Sequence, residues 1–511
     1  MKTHLFILMF IFLSFDAYAQ NDSISFIRQY RHTGFLQSDF MAAGMPDGEK
    51  KLGLSGLHYI FDINRSFYGG VGYYGAITGR RGGFFTLGLN AGFQARIQSK
   101  LFVDAGIYFG GGGGAAAPDG GGAVILPHAH IGYRFSHVSL LAGYNYLNFF
   151  DGGRIKSHQL SYALRIPLQL RHTSVIHTGK TIRYEDYAGS EWDVPERKID
   201  FTLRLNRLLP KKKSREFVSG ASLAGKKIQL LGFELAANLD KNDFLFTRAD
   251  GGYKGIKGGY LNVLFGYGHK FSIFNDRTQI ALKFAAGPGG GGDVDTKGGL
   301  LLAPDLSVTQ KIWKNFSVNI NKGYLLTPDQ HFFGTTLGLG LQYHLHQSGF
   351  RYNENQHYRS AVFKGLEITA GQEVYFNAKR TDISPAHLHQ FFTQLNFSIH
   401  KPFYAAIDVS FANFGNAGAY GEGSFGIGMS TAKDKSFSGF IQVMAGGSGG
   451  GGLDVGQGLI IKPAAGLQYH VHPVLSLRST VGFVKAMDGR LSSPTFSLGL
   501  NYSISLLHGR R

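Results

Sequence analysis

The chain has 511 residues, including 73 glycines, 43 phenylalanines and 25 tyrosines, and only 17% of its residues are charged. Ordinary globular chains carry about 25% charged residues, so these charges are too few to cover a water-facing surface of this size. The absence of cysteine excludes a disulfide framework, and the formal net charge of +18 comes without a basic helix or an RNA-binding motif, so nucleic acid is not an expected partner.

The N-terminus has the pattern of an export signal. Lys2 provides a positive charge, residues 5–15 are apolar, and Ala17-Tyr18-Ala19 is a small-x-small cleavage site. We therefore predict a signal peptide over residues 1–19. The apolar stretch is too short for a membrane-spanning helix, and nowhere later do about 18 apolar residues follow one another. An exported protein without helical spans is expected.

After the signal, short segments alternate between apolar and polar or small residues. Examples are LHYIFDI (57–63), FFTLGLNAGFQARI (84–97) and FFTQLNFSI (391–399), with polar turns between such segments. Alternation with a period of two is typical of β-strands, and a helical period does not persist anywhere. The sequence therefore predicts an all-β chain.

A glycine-rich unit occurs three times, at residues 109–135, 285–312 and 445–471. Each copy runs from a glycine run through an aspartate and more glycine to an apolar stretch and a proline. The period is far longer than the 40–50 residues of a propeller blade. We predict three repeats, separated by two inter-repeat segments: repeats at 20–170, 218–346 and 363–511, segments at 171–217 and 347–362.

The strand pattern favours a transmembrane antiparallel β-barrel. In TFSLGLNYSIS (495–505), Phe496, Leu498 and Leu500 share one face, while Thr495 and Ser497 lie on the other. Closed barrels satisfy every backbone group in hydrocarbon, and their strands need about 9–11 residues. With about eight strands per repeat, we expect one barrel of about 24 strands, because continuous pairing hides every edge. Three tandem eight-stranded barrels are the alternative.

The segment 495–505 resembles the C-terminal recognition strand of Gram-negative outer-membrane β-barrel proteins. The chain departs from that pattern by ending in LLHGRR instead of an aromatic residue. The resemblance implies a location in the outer membrane of a Gram-negative bacterium, with the Bacteroidota as the suggested source. It also implies contact with outer-membrane lipid and lipopolysaccharide, whose anionic groups suit a basic chain.

The glycine-rich units are the candidate functional site. Glycine within a strand occurs where backbone approaches something closely, and a proline removes a donor from the following strand. We predict that the three hairpins form a constriction or plug in the lumen, or a partner-contact ring at one mouth; flexible loops or bent wall are the alternative. The aspartates are expected to cap turns rather than bind calcium. The predicted site residues are Gly110, Gly114, Asp119, Pro127, Gly289, Gly292, Asp293, Asp295, Pro304, Gly446, Gly452, Asp454 and Pro463.

Histidines occur in four His-x-His pairs, among them His128/His130 and His470/His472. Positions i and i+2 of a strand share a face, so such a pair could hold a metal if a neighbouring strand supplied a third ligand. Histidines lining a wet lumen or lying at the membrane interface explain the pairs without metal, and we predict neither metal nor cofactor.

The sequence contains no G-x-S-x-G elbow, H-E-x-x-H pair or phosphate loop, so an enzyme is not predicted. The leading interpretation is a channel or translocation pore whose hairpins shape the lumen or mouth. A non-conducting scaffold barrel with a protein partner in an export or surface complex is the second interpretation. A rim-site enzyme acting on lipid or peptide is the third.

Overall fold

The structure is a computed structural model that describes residues 27–183, 190–194, 197–274, 277–313, 315–347, 360–381, 384–431 and 436–510. The predicted signal peptide lies outside these residues. Within them the helical elements are two 3-10 turns, Pro46–Gly48 and Val175–His177, and no helix is long and apolar enough to cross a membrane.

The all-β prediction is confirmed by the twenty-five strands that the described residues form. In chain order they are β1 (Tyr30–Ala43), β2 (Leu52–Asp62), β3 (Phe67–Thr78), β4 (Phe85–Arg96), β5 (Leu101–Gly113), β6 (Val124–Arg134), β7 (Ser139–Phe149), β8 (Lys156–Ser174), β9 (Thr181–Arg183), β10 (Arg197–Pro210), β11 (Ile228–Asn238), β12 (Asp243–Lys254), β13 (Leu261–Ile273), β14 (Thr278–Gly290), β15 (Leu300–Lys311), β16 (Phe316–Leu326), β17 (Phe333–Gln347), β18 (Ser360–Ala378), β19 (Ala386–His400), β20 (Phe403–Phe414), β21 (Gly421–Ser430), β22 (Phe437–Gly449), β23 (Leu459–His472), β24 (Leu475–Ala486) and β25 (Ser492–Arg510).

The strand pairings close three rings rather than one. β1 pairs with both β2 and β8, β10 with both β11 and β17, and β18 with both β19 and β25, while the strands between them pair in sequence order. We call these rings barrels 1, 2 and 3. The expected single barrel of about 24 strands is therefore wrong. Closing each ring already pairs both of its edge strands, so continuous pairing across repeats has no advantage.

Short strand pairings also join barrel 1 to barrel 3. β9 pairs with the start of β18, and the end of β8 pairs with β25 through Thr173 and Ser174. These contacts lie at the end of the barrels where the chain passes from one ring to the next.

The repeat boundaries also differ from the prediction. β10, the first strand of barrel 2, lies inside the expected inter-repeat segment 171–217, and β18 begins within 347–362. In β10 the inward positions Thr202, Arg204 and Asn206 are buried and polar. Basic residues at inward and neighbouring positions obscure the apolar alternation in the sequence, although Leu203 and Leu205 follow it.

Inward side chains fill each lumen with paired charges. In barrel 2, Glu234 lies 3.0 Å from Arg204 and 3.0 Å from Lys283. In barrel 3, the ammonium of Lys462 lies 2.9 Å from Glu373 and 3.6 Å from Asp408. The interior of an eight-stranded barrel is just wide enough for side chains to fill it. These networks therefore fill the lumens, whereas the lumen of a wide barrel would contain water.

The three barrels contact each other in a cycle. β5 of barrel 1 packs on β20 of barrel 3, β22 of barrel 3 packs on β12 of barrel 2, and β14 of barrel 2 packs on β3 of barrel 1. In every case the fifth strand of one barrel meets the third strand of the next. Head-to-tail contacts that close after three steps define a ring with an approximate threefold axis.

The glycine-rich hairpins share one end of this ring. Each follows the fifth strand of its barrel, and in an antiparallel barrel an odd-numbered strand runs away from the end at which the chain enters. The hairpins therefore lie opposite the inter-barrel connections. We call this the hairpin end.

Candidate functional site: the axial hairpins

The axial hairpins are residues 110–123, 287–299 and 446–458, and their tips share one conformation. The two tip residues both have positive φ, and a backbone hydrogen bond closes the turn around them: the pairs are Ala115–Ala116, Gly292–Asp293 and Gly451–Gly452. Two consecutive residues with positive φ define a type I′ turn, which matches the twist of the strands that it joins. The tips are therefore ordered turns.

Each axial hairpin contacts a loop of the next barrel. These docking loops, residues 79–84, 255–260 and 415–420, connect the third and fourth strands, and each begins with a glycine of positive φ. Each loop donates one backbone hydrogen bond across the interface. The three bonds are Gly82 N to Lys297 O at 2.7 Å, Gly258 N to Gly456 O at 3.0 Å, and Gly418 N to Gly120 O at 3.1 Å.

These three bonds occupy equivalent positions around the axis. Gly82, Gly258 and Gly418 each lie three residues after the glycine that begins the docking loop. Their acceptors each lie seven residues before the proline of the following strand. The approximate threefold arrangement of the barrels therefore extends to the individual backbone hydrogen bonds between them.

Glycine is required here because backbone packs directly on backbone. A Cβ atom on Gly83 would lie 2.2 Å from the backbone nitrogen of Gly291, and one on Gly449 would lie 2.1 Å from the carbonyl carbon of Gly258. At the third interface a Cβ on Gly418 would lie 2.7 Å from the nitrogen of Gly122. The glycine runs thus allow a close approach between barrels.

An apolar cluster fills the axis beside the hairpins. Three equivalent cross-strand pairs each combine a glycine with a large residue: Gly75–Phe85, Gly251–Leu261 and Phe411–Gly421. Phe85, Leu261 and Phe411 pack in one cluster that also contains Leu87 and Phe391. Barrel 3 carries its large residue on the third strand instead of the fourth, so the approximate symmetry is broken where the side chains meet.

The predicted prolines interrupt one side of their strands, as expected. Pro127, Pro304 and Pro463 are paired with the fifth strands, through Ile107, Phe284 and Val443. On the other side, the pairing with the seventh strand skips the position of the proline in all three barrels. The lost N–H donor accounts for this gap.

The prolines are equivalent positions, and the aspartates are not. Counting back eight residues from the prolines reaches Asp119, Thr296 and Val455, while Asp295 and Asp454 lie one position earlier. Each of these three equivalent residues supplies the carbonyl that accepts the N–H of the glycine three residues later. The spacing from aspartate to proline is eight residues in the first copy and nine in the other two because the aspartates occupy different positions, and not because a residue is inserted.

Each aspartate contacts a different protein group. Asp295 accepts the N–H of Lys297 at 2.9 Å, which caps its turn, and Asp293 accepts the N–H of Val218 at 2.8 Å. Asp454 pairs with Arg490, and this hydrogen bond lowers the pKa of Asp454. Asp295 thus caps a turn of its own hairpin, whereas Asp293 and Asp454 bind other loops of the same barrel, and the carboxylates are not brought together.

Asp119 is the buried member of this set. It is 7% exposed and accepts the N–H of Gly114 at 2.8 Å. Burial raises the pKa of Asp119 to about 6, although the hydrogen bond from Gly114 acts in the opposite direction. Barrels 2 and 3 place uncharged Thr296 and Val455 at the same position, so this titration belongs to barrel 1 alone.

The remaining predicted glycines divide between wall and tip. Gly110, Gly446 and Gly289 lie in wall strands, where a Cβ would meet Leu87, Gly423 and Leu301 at 2.4 Å or less. Gly114, Gly292 and Gly452 lie at the hairpin tips with positive φ. The sequence reasoning missed the docking loops, although GRRGG, GIKGG and GNAGA recur there at matching positions.

No family model and no curated protein matches the chain. Among solved structures, the ferric enterobactin receptor PfeA of Pseudomonas aeruginosa matches 92% of this chain over 80% of its own, with 9% identity and a TM-score of 0.28. OccK11 (OpdR) of P. aeruginosa matches 93% over 96% of its own chain, with 10% identity and a TM-score of 0.21. OpdQ of P. aeruginosa matches 93% over 98%, with 9% identity and a TM-score of 0.21.

These neighbours are outer-membrane β-barrel proteins of Gram-negative bacteria. TM-scores this low describe a likeness in strand content rather than a shared overall fold. The closed antiparallel barrels of this chain are defined by its own strand pairings.

Proposed function

We propose that the protein is a non-conducting structural protein of the Gram-negative outer membrane, without enzymatic activity. Three closed barrels hold a rigid surface of hairpins and docking loops at one end. The observation that carries this proposal is that ion-paired side chains fill the lumens, while an apolar cluster fills the axis between them.

The barrel exteriors support a location in the membrane. Large apolar side chains point outward and are exposed in all three barrels, as with Leu160 (64%), Leu339 (57%) and Ile427 (66%). A water-soluble protein rarely exposes contiguous apolar surface of this extent. Hydrocarbon accommodates it, because the closed rings leave no unpaired edge.

The filled lumens favour a scaffold over a channel. Lys462 faces Glu373 and Asp408 across the lumen of barrel 3. A solute that passed through this lumen would have to separate the lysine from the two carboxylates. Breaking a buried ion pair costs about 3–5 kcal/mol, and the displaced charges would lack other partners. A path along the axis would meet Phe85, Leu261 and Phe411. The predicted pore thus gives way to the scaffold interpretation.

The hairpin end is the proposed partner surface. Outer-membrane barrels place short turns in the periplasm and longer loops outside the cell. Here the turns opposite the hairpin end are the shorter ones, for example residues 63–66 between β2 and β3. The hairpin end therefore faces the exterior, where it contacts lipopolysaccharide at its rim and a protein partner of a surface or export complex at its centre.

Planar-bilayer recording tests the proposal. The wild-type protein should insert without conductance steps, and deletion of residues 446–452 should leave the trace silent. As a positive control, replacing Lys462, Glu373 and Glu422 together by alanine removes an ion-paired group from the lumen of barrel 3 and should produce small steps. Steps of uniform size from the wild-type protein would restore the channel interpretation.

A further inference from the structure

Barrel 1 holds a group of metal-binding side chains that the scaffold does not require. Asp104 on β5 pairs across the strands with His130 on β6, and His128 shares the inward face of β6 with His130. Within the described residues these three form the one group whose His, Asp, Glu or Cys donor atoms come close enough for a metal ion. The His-x-His pattern alone does not reveal the site, because the third donor comes from a neighbouring strand.

The donor atoms lie close enough for one metal ion to bind all three. Asp104 Oδ1 lies 3.2 Å from His128 Nε2 and 3.8 Å from His130 Nδ1, and the donors all lie within 4.8 Å of one another. Zinc bonds of about 2.0–2.1 Å in a tetrahedron place neighbouring ligand atoms about 3.3–3.4 Å apart. The hydroxyl of Tyr68 lies 3.2 Å from the same oxygen and 3.3 Å from His128 Nε2, beside both ligands.

Outer contacts already orient two of the ligands. Nε2 of His130 lies 2.7 Å from Ser161 Oγ, which directs Nδ1 toward Asp104. The second oxygen of Asp104 lies 2.9 Å from the guanidinium of Arg165. Metal sites commonly have such partners, which fix the tautomer of the histidine and the angle of the carboxylate. In the described part of the chain, the buried Nδ1 of His130 has no hydrogen-bond partner, so this nitrogen is available to bind a metal ion.

The charge balance of the lumen admits a divalent cation. Two carboxylates, Asp39 and Asp104, face one guanidinium, Arg165, and His58 lies 3.1 Å from Asp39. The two carboxylates and the guanidinium together carry one net negative charge. Arg165 opposes a cation at the site, but it is bound to the oxygen of Asp104 that points away from His128.

The other barrels do not repeat these donors. Counted from the prolines, the positions of His128 and His130 are occupied by Asp305 and Ser307 in barrel 2 and by Ala464 and Gly466 in barrel 3. The shared architecture therefore does not explain the group.

We infer that barrel 1 binds one divalent transition metal ion, zinc in first place, through Asp104, His128 and His130. The hydroxyl of Tyr68 or a water molecule completes the coordination. Two imidazoles and a carboxylate suit zinc among the abundant divalent ions, since magnesium and calcium prefer oxygen ligands. The ion would link β3, β5 and β6 inside the lumen.

Metal titration of the purified full-length protein tests the inference. Protein refolded in detergent after chelator treatment should bind one Zn²⁺ per chain in competition with a chromogenic chelator. Co²⁺ in its place should give the intense visible absorption of a tetrahedral site. Replacing His128 and His130 together by glutamine should lower zinc affinity at least 100-fold and abolish that absorption. His344→Gln is the matched control, since His344 is a lumen histidine 2.6 Å from Asp200 in barrel 2.

Folding and metal binding are separated by a gel assay. Heat-modifiable migration should show that the double variant still forms barrels, since glutamine retains polar contacts. To allow for slow entry into a closed lumen, refolding is repeated in the presence of Zn²⁺. Failure of the folded wild-type protein to retain zinc under both conditions would overturn the inference. Equal binding by wild-type protein and a folded double variant would overturn it as well.

Discussion

The lumens and the axis of this molecule are packed in opposite ways. Inside each barrel, charged and polar side chains fill the space and form buried ion pairs, as Lys283 and Glu234 do. Between the barrels, the hairpin end is packed by bare backbone, with Gly83 against Gly291. The lumens therefore depend on ion pairing, whereas the contacts between the axial hairpins and the docking loops depend on the absence of side chains.

This contrast separates two kinds of sensitivity. A lumen tolerates exchange among polar residues provided that charges stay paired, because the three barrels already hold different networks. The axis does not tolerate one added carbon atom where a Cβ would lie 2.2 Å from backbone. The following substitutions test each side of the comparison.

Lys462→Met should give the largest loss of stability. Lys462 is the shared cation of Glu373, Asp408 and Glu422, and methionine keeps most of its volume while leaving three carboxylates unpaired. We expect the free energy of unfolding to fall by about 3–5 kcal/mol, measured by urea unfolding in detergent at pH 7.

Lys283→Met in barrel 2 is the matched comparison. Its carboxylate partner Glu234 retains Arg204 at 3.0 Å, so the loss should be clearly smaller. Equal losses in the two barrels would show that the second cation, Arg204, does not compensate for the loss of the lysine.

Gly83→Ala tests the axis. The Cβ of the alanine would clash with the backbone of Gly291. Position 83 also has a φ of +95°, which is unfavourable for any residue with a Cβ. We expect a loss of about 2–4 kcal/mol, together with faster proteolysis of the docking loops.

Gly152→Ala separates conformation from contact. Gly152 has a φ of +72° but nothing within 4 Å of its added Cβ, so only the backbone cost of about 1–2 kcal/mol should appear. If both alanine variants lost the same stability, the close approach between barrels would contribute nothing.

The sequence predicts the strands well because alternation is a local pattern, and the recurring glycine-rich unit is local in the same way. Alternation in segments such as 495–505 and the recurrence of Pro127, Pro304 and Pro463 are visible without a partner strand. Ring closure is not local, because β8 can pair with β1 or continue into another repeat with the same alternation. The decision rests on long-range register, which one sequence does not display.

A signal for the small barrels was nevertheless present in the inward residues. The strands of barrel 2 carry Arg204, Arg248 and Lys283 against Glu234, Asp250 and Asp305 at inward positions, although Arg204 lies outside the predicted repeat 2. Charges that balance within one repeat are expected when the repeat encloses its own filled lumen. The group of metal donors could not be predicted for the same reason as ring closure. Asp104 and His130 are distant in sequence and are brought together only by the pairing of β5 with β6.

Asp119→Asn is the one substitution of this series that should stabilise the protein, and the size of the gain depends on pH. The pKa of Asp119 is raised from 3.8 to about 6, so between these values the folded state holds a proton that the unfolded state has released. The stabilisation is therefore fully present below about pH 4 and is lost as the pH rises through about 6. Asparagine keeps an acceptor for the N–H of Gly114 without a charge, so the variant should gain roughly 2–3 kcal/mol relative to wild type at pH 7.5 and little at pH 4. Thermal unfolding at several pH values measures the difference. A constant difference across this range would mean that Asp119 does not titrate in the folded hairpin, and that the backbone-packed end is insensitive to charge.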